Sequence, residues 1–144
     1  MNRVLAVAFL AAVPLLAQAP PARFEPARFE VEETTIAQVH AAMQAGQLTC
    51  HELVDLYLKR IAAYDKNGPA INAIVLLNPN AEKEADDLDR RYAQSGLAGP
   101  LHCVPMIVKD NFETKGLRTT NGALALASYI PAQDAFEVKR VKEA

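Results

Sequence analysis

The chain has 144 residues, 51% hydrophobic types, 22% charged types and a formal charge of -2. That hydrophobic share excludes an intrinsically disordered chain, and six Gly with nine Pro exclude collagen-like or low-complexity architecture. Fifteen Lys plus Arg stand against 17 Asp plus Glu with no basic block, so no nucleic-acid partner is expected, and two Cys are too few for a disulfide framework or a four-ligand zinc site.

Residues 1–19 read as a signal peptide. Arg3 supplies positive charge, Val4 to Leu16 is an uncharged and almost wholly apolar run, and Ala17-Gln18-Ala19 has the small-x-small pattern of a cleavage site. The run is shorter than the roughly 20 residues a helix needs to cross a bilayer. No stable membrane span is therefore expected after cleavage, and export to a periplasmic or extracellular space is. Pro20 directly after the motif argues against a clean cut following Ala19. Residues 20–33 read as a Pro-containing spacer, with a tandem repeat from Pro21 to Glu25 and Pro26 to Glu30.

Residues 34–144 read as alternating helices and strands. Thr35-Ile36-Ala37-Gln38 fits a capping box, and Ile36, Val39 and Met43 recur at helical spacing until Gly46 stops the run. Thr49-Cys50-His51-Glu52 is a second capping box, opening a helix whose apolar stripe is Leu53, Leu56, Tyr57, Ile61 and Tyr64. Asn67-Gly68-Pro69 ends it. Ala73 to Leu77 is a short apolar, branched run with the signature of a strand covered on both faces. Asn78-Pro79 starts a third helix lined by Ala85, Leu88 and Tyr92, closed by Gly96 and Gly99-Pro100. Leu101 to Val108 is the second strand candidate; polar, turn-forming residues run from Asp110 to Gly122, and Ala123 to Ser128 reads as one or two helical turns. Asp134-Ala135-Phe136-Glu137 gives a third capping signal, before a helix that reaches Ala144.

Strands joined by long helical crossovers imply an α/β class with parallel pairing. Two short strands do not make an independently stable sheet, so this pattern reads as the opening section of a larger one. Lys109 stands where the second apolar run gives way to a polar turn, and strand ends of α/β sheets are where ligands tend to bind. A lysine there either snorkels its ammonium into solvent or, held against an apolar wall, loses charge stabilisation and becomes a base.

The run Gly99-Pro100-Leu101-His102-Cys103-Val104-Pro105-Met106-Ile107-Val108-Lys109-Asp110-Asn111, continuing to Gly116 and Thr119-Thr120-Asn121-Gly122, resembles the start of the amidase signature family. Gly46-Gln47-Leu48-Thr49, Arg60 to Asp65 and Asp134-Ala135-Phe136 resemble its flanking parts, in order, from about Thr35 onward. The resemblance implies a hydrolase of carboxylic amides that uses a Ser-cisSer-Lys triad within a mixed sheet flanked by helices, with no cofactor or metal and a small-molecule amide as substrate. Lys109 matches the catalytic lysine. Asp110 and Asn111 match the adjacent positions, where they would organise the turn that aims it. The family's two serines belong to a Gly- and Ser-rich segment that this sequence does not contain, so residues 34–144 are expected to be the N-terminal part of an amidase domain, inactive alone. Ser95 and Ser128 lie outside any Gly-Ser context, and no nucleophile is assigned. Cys103 stands where the family often has Gly, and Ala123 where Ser is common. The alternative is a non-catalytic fragment or partner-interaction module derived from the same fold.

Other candidates carry less. His102 beside Cys103 suggests a Cys-His nucleophile, but neighbours on a strand point to opposite faces. His40, His51 and His102 lack the close spacings of metal sites. Cys50 and Cys103 could pair in an oxidising compartment, but helix-start and strand positions give no geometric support for it. Glu82 to Asp87 reads as a solvated helix face with an acid-rich first turn.

Overall fold

The computed structural model describes residues 29–144, so the signal peptide and most of the spacer lie outside the described residues. Four helices follow in order: α1 (Ile36–Gln44), α2 (Cys50–Arg60), α3 (Ala81–Ser95) and α4 (Phe136–Glu143). A wide π-helical turn, Ile61–Lys66, continues α2, and a single 3-10 turn occupies Leu124–Leu126. No helix of the described residues is long and apolar enough to cross a membrane.

Both capping boxes form. The Thr35 hydroxyl accepts from the Gln38 N–H while the Gln38 side chain accepts from the Thr35 N–H, and Thr49 and Glu52 exchange the same pair of bonds. At the far end of α1, Gly46 (φ +66°) donates to the Met43 carbonyl and Gln47 to the Ala42 carbonyl, which satisfies two orphan acceptors through a Schellman turn. The first amides of α2 have a further partner that its own sequence does not announce. Asp89 of α3 accepts from the N–H groups of Cys50 (2.7 Å) and His51 (3.0 Å), and Asp86 pairs with the His51 ring. The acid-rich face of α3 is thus partly an inter-helix cap rather than only a solvated surface.

The core is helical. Val39, Ala42 and Met43 of α1 cluster with Leu48, Cys50 and Leu53, Ala85 of α3 and Cys103, and Tyr57, Leu88 and Tyr92 pack around them. Phe29 and Val31, from the end of the stretch read as spacer, also pack on this cluster, and Glu32 pairs with Arg60. The apolar stripe of α2 is buried at Leu53 but emerges at Tyr64, where the Arg60 guanidinium sits 5.2 Å from the ring centroid.

The sheet of the α/β expectation is not shown in these residues, which are helical and irregular. Neither Ala73–Leu77 nor Leu101–Val108 forms a strand; both are irregular, and Val75, Leu76, Leu77, Met106, Ile107 and Val108 are exposed. A strand exists only by pairing its backbone with a neighbour, and no partner strand is present among the described residues. The first segment instead borrows a side chain. Asp65 accepts from the N–H of Ala73 (2.6 Å) and more weakly from that of Ile74, while Lys66 donates to the Ile74 carbonyl. The third capping signal is also corrected. α4 begins from Ala135 without a side-chain cap, because Asp134 turns away to accept from the Lys115 N–H and from the Lys142 ammonium.

Candidate active site

The polypeptide from Leu101 to Lys109 leaves the core through a turn and runs over the surface. Val104 donates to the Leu101 carbonyl, Phe112 donates to the Lys109 carbonyl, and residues 105–108 make no backbone hydrogen bond among the described residues. Lys109 is exposed, as is Asn111. The apolar wall expected to strip water from the lysine is present in sequence as Met106-Ile107-Val108, but here those side chains face solvent with it.

Asp110 has the more structured environment. Its carboxylate accepts from the Thr120 N–H (2.9 Å) and from the Thr120 hydroxyl, and its carbonyl accepts from the Asn121 N–H (2.9 Å). The Thr120 oxygen in turn accepts from the Gly122 N–H. These bonds clasp a loop of polar residues shut directly after Lys109. The Thr120 hydroxyl, then its backbone N–H, hold the Asp110 carboxyl below the usual aspartate range, outweighing partial desolvation. Thr120 is a partner that spacing alone does not pair with Asp110, although it lies inside the Thr119-Thr120-Asn121-Gly122 run.

The loop is closed again further out. Gly116 donates to the Pro131 carbonyl, Thr119 to the Tyr129 carbonyl and Ala135 to the Glu113 carbonyl. Burial works to raise the Asp134 carboxyl, but Lys142 and the Lys115 N–H prevail and hold it low. The Tyr129 hydroxyl donates to Glu113 at 2.6 Å, which raises the tyrosine. The end of α4 returns to the start of the Lys109 segment, where the Leu101 N–H donates to the Ala144 carbonyl. Gly99 lies so close to that carbonyl that any Cβ there would collide with it.

A second cluster lies in the core. Cys50 and Cys103 form a disulfide, with Cα atoms 5.2 Å apart, contrary to the sequence reading that gave them no reason to meet. The reason is the turn: Cys103 is not on a strand but at φ +62°, which swings its side chain back onto the first residue of α2. His102 is buried with it, so the two neighbours share one interior rather than opposite faces of a strand. The His102 Nδ1 accepts weakly from the Ala98 N–H, His40 donates to the His102 carbonyl at 3.0 Å, and Tyr92 stacks on the His102 ring. Burial first, then His40 and Arg91, push the His102 imidazole below its ordinary value, against Asp89. Cys50, His102 and Cys103 bring their donor atoms within 4.8 Å of one another. That set does not suit a metal. Its sulfurs are bonded together instead of being thiolates, and an Nδ1 that accepts a hydrogen bond leaves the proton on the Nε2 facing them.

The comparisons with known proteins point one way. A family model described as Amidase matches residues 52–144. A Schizosaccharomyces pombe protein named as an amidase is 42% identical over 115 residues, 79% of this chain and 19% of that protein. One component of the glutamyl-tRNA(Gln) amidotransferase of Halorhodospira halophila is 35% identical over 114 residues, 79% of this chain and 23% of that polypeptide. Among solved structures, the native peptide amidase from Stenotrophomonas maltophilia matches with a TM-score of 0.74 and 42% identity, over 78% of this chain and 23% of that one. The chain therefore spans about a fifth of the length of the curated relatives it matches. On the match to the family model and the identity to these relatives, the chain belongs to the amidase signature family.

Proposed function

We propose that residues 34–144 are the N-terminal part of an amidase that hydrolyses the C–N bond of a small carboxylic amide, with Lys109 as the base of a Ser-cisSer-Lys triad. The observation that carries the reading is the family match across residues 52–144, which contains Lys109 and the Asp110–Thr120 clasp behind it. In this mechanism a neutral lysine takes the proton of the bridging serine, which takes that of the nucleophilic serine as the acyl-enzyme forms. A protonated lysine could not begin that relay. The exposed 106–108 run is then the wall awaiting burial, and segments 73–77 and 101–108 pair into the family's mixed sheet once further strands cover them. Asp110 and Asn111 shape the turn that aims the amine and take no chemical step. No cofactor, metal or nucleic acid enters this chemistry.

We place the protein outside the cytosol. The support is the n-region, apolar run and Ala17-Gln18-Ala19 motif in sequence, together with a disulfide of the kind that persists in oxidising compartments.

The expected result is that the 144 residues alone turn over no simple aliphatic or aryl amide, because neither Ser95 nor Ser128 lies near Lys109 in sequence or in a Gly-Ser turn. A polypeptide extending them to the length of the relatives would hydrolyse such an amide, and Lys109→Ala would abolish it. Hydrolysis by the 144-residue chain, lost in Lys109→Ala, refutes the division of labour; an extended enzyme indifferent to Lys109→Ala refutes the catalytic assignment. The second reading, a partner-interaction module, has one favouring observation in the exposed apolar segments. It predicts a stable complex with a separate polypeptide and no amide hydrolysis by that complex.

A further inference from the structure

We infer that the Cys50–Cys103 disulfide is a positioning device: it holds Cys103 in a left-handed conformation and thereby fixes the direction in which the Lys109 segment leaves the core. The inference concerns the cross-link and stands whether or not Lys109 is catalytic.

The segment has few other holds. Residues 105–108 have no backbone partner among the described residues, so its course is set by its ends. The outer end is Asp110, clasped to Thr120. That loop belongs to the same half of the chain as α4, whose end is bonded to Leu101 but which among the described residues makes no helix-to-helix contact with α1, α2 or α3. The inner end is Cys103, bonded to the first residue of α2 in the middle of the core cluster. Both cysteines are buried, Cys50 completely.

Cys103 itself explains why a covalent hold matters. At φ +62° it occupies a region that L-residues with a Cβ avoid and that persists only when the surroundings over-determine it. The contacts one residue earlier, from His40, Ala98 and Tyr92, grip His102, and the bond from the Val104 N–H to the Leu101 carbonyl closes a turn across Cys103. Among the described residues the sulfur bridge is what ties the Cys103 side chain to α2 and holds that turn against the core. Released, Cys103 relaxes to negative φ, and everything after it is redirected.

Formation of the bridge removes two protons and two electrons from the two thiols, delivered to a protein disulfide that becomes a dithiol. Dithiothreitol reverses this, returning both thiols and closing to its own cyclic disulfide.

The test follows hydrogen exchange of the purified 144-residue chain, oxidised and after dithiothreitol, with non-reducing peptide mapping to score the bridge. The mapped protein is expected to yield a Cys50–Cys103 linked peptide. Reduction is expected to speed exchange over residues 104–112 by about tenfold or more while α1 to α3 change by less than about twofold. Cys50→Ala is expected to reproduce the effect. Cys50→Ala/Cys103→Gly is expected to reverse much of it, since glycine adopts positive φ without strain. Free thiols in the protein handled under oxidising conditions would overturn the proposal. So would unchanged exchange at 104–112, uniform acceleration through α1 to α3, or a Cys103→Gly double variant no better than Cys50→Ala/Cys103→Ala.

Discussion

Asp65 and Asp110 show one carboxylate doing at two places what a neighbouring strand does in a sheet, accepting the backbone N–H groups of a segment that has no ladder partner. The Lys66 ammonium, and then the N–H groups of Ala73 and Ile74, hold the Asp65 carboxyl below the usual aspartate range, as Thr120 does for Asp110. Because each folded-state value lies below the unfolded one, the stabilisation is complete above the unfolded aspartate value and disappears as pH falls through the folded values. Acid titration is thus expected to loosen the 65–74 and 110–122 turns below about pH 4. Proton NMR of the Ala73 and Thr120 amides checks it: their shifts should move with midpoints under the ordinary aspartate value. Midpoints at or above that value would remove the role given to both carboxylates. Asp110→Asn is expected to leave α1 to α3 intact and to speed exchange of the Thr120 and Asn121 amides. Neither aspartate's partner was legible in sequence, because an aspartate beside a polar turn does not say which amide it will reach.

At the scale of elements, the helices were readable and their connections were not. Thr35 and Thr49 announced α1 and α2 because a capping box is local, needing only residues three apart. Thr49→Ala is expected to cost about 1 kcal/mol in urea unfolding followed by circular dichroism, and the Asp89 contribution to the same helix end keeps the loss from being larger. Glycine positions separate two kinds of cost. Gly46 has open space around the position of a Cβ, so Gly46→Ala carries only the left-handed strain of about 1–2 kcal/mol. Gly68 has φ +54° and would place a Cβ 2.7 Å from the Ala63 carbonyl, so Gly68→Ala is expected to be the more damaging of the pair. Equal midpoints for the two variants would contradict the contact. Strand periodicity at 73–77 and 101–108 has no ladder to match among the described residues, because an apolar branched run specifies burial, while pairing is a property of neighbours. The disulfide was missed for the related reason that Cys103 was placed on a strand, when the turn at His102 and Cys103 is what aims it inward.

Across the whole molecule, burial is uneven. Leu53 is 1% exposed at the centre of the α1–α3 cluster, whereas Ile107 is 82% exposed and Leu124 91%. Leu53→Ala is expected to lose about 2–5 kcal/mol through the cavity it leaves. Ile107→Ser is expected to change stability by less than about 0.5 kcal/mol while lowering the binding of a hydrophobic dye such as ANS. A large loss of stability in Ile107→Ser would show that the segment is packed in solution. The family could be read from sequence because its motifs are contiguous around Lys109; the environment of the lysine could not, since it depends on which surfaces come to lie over residues 104–108. The contact between Gly99 and the carbonyl of Ala144 makes one hydrogen atom decisive. A methyl group at residue 99 would strike that carbonyl and disturb the Leu101 amide bonded to it, so the bare backbone there is what lets the end of α4 close onto the start of the Lys109 segment.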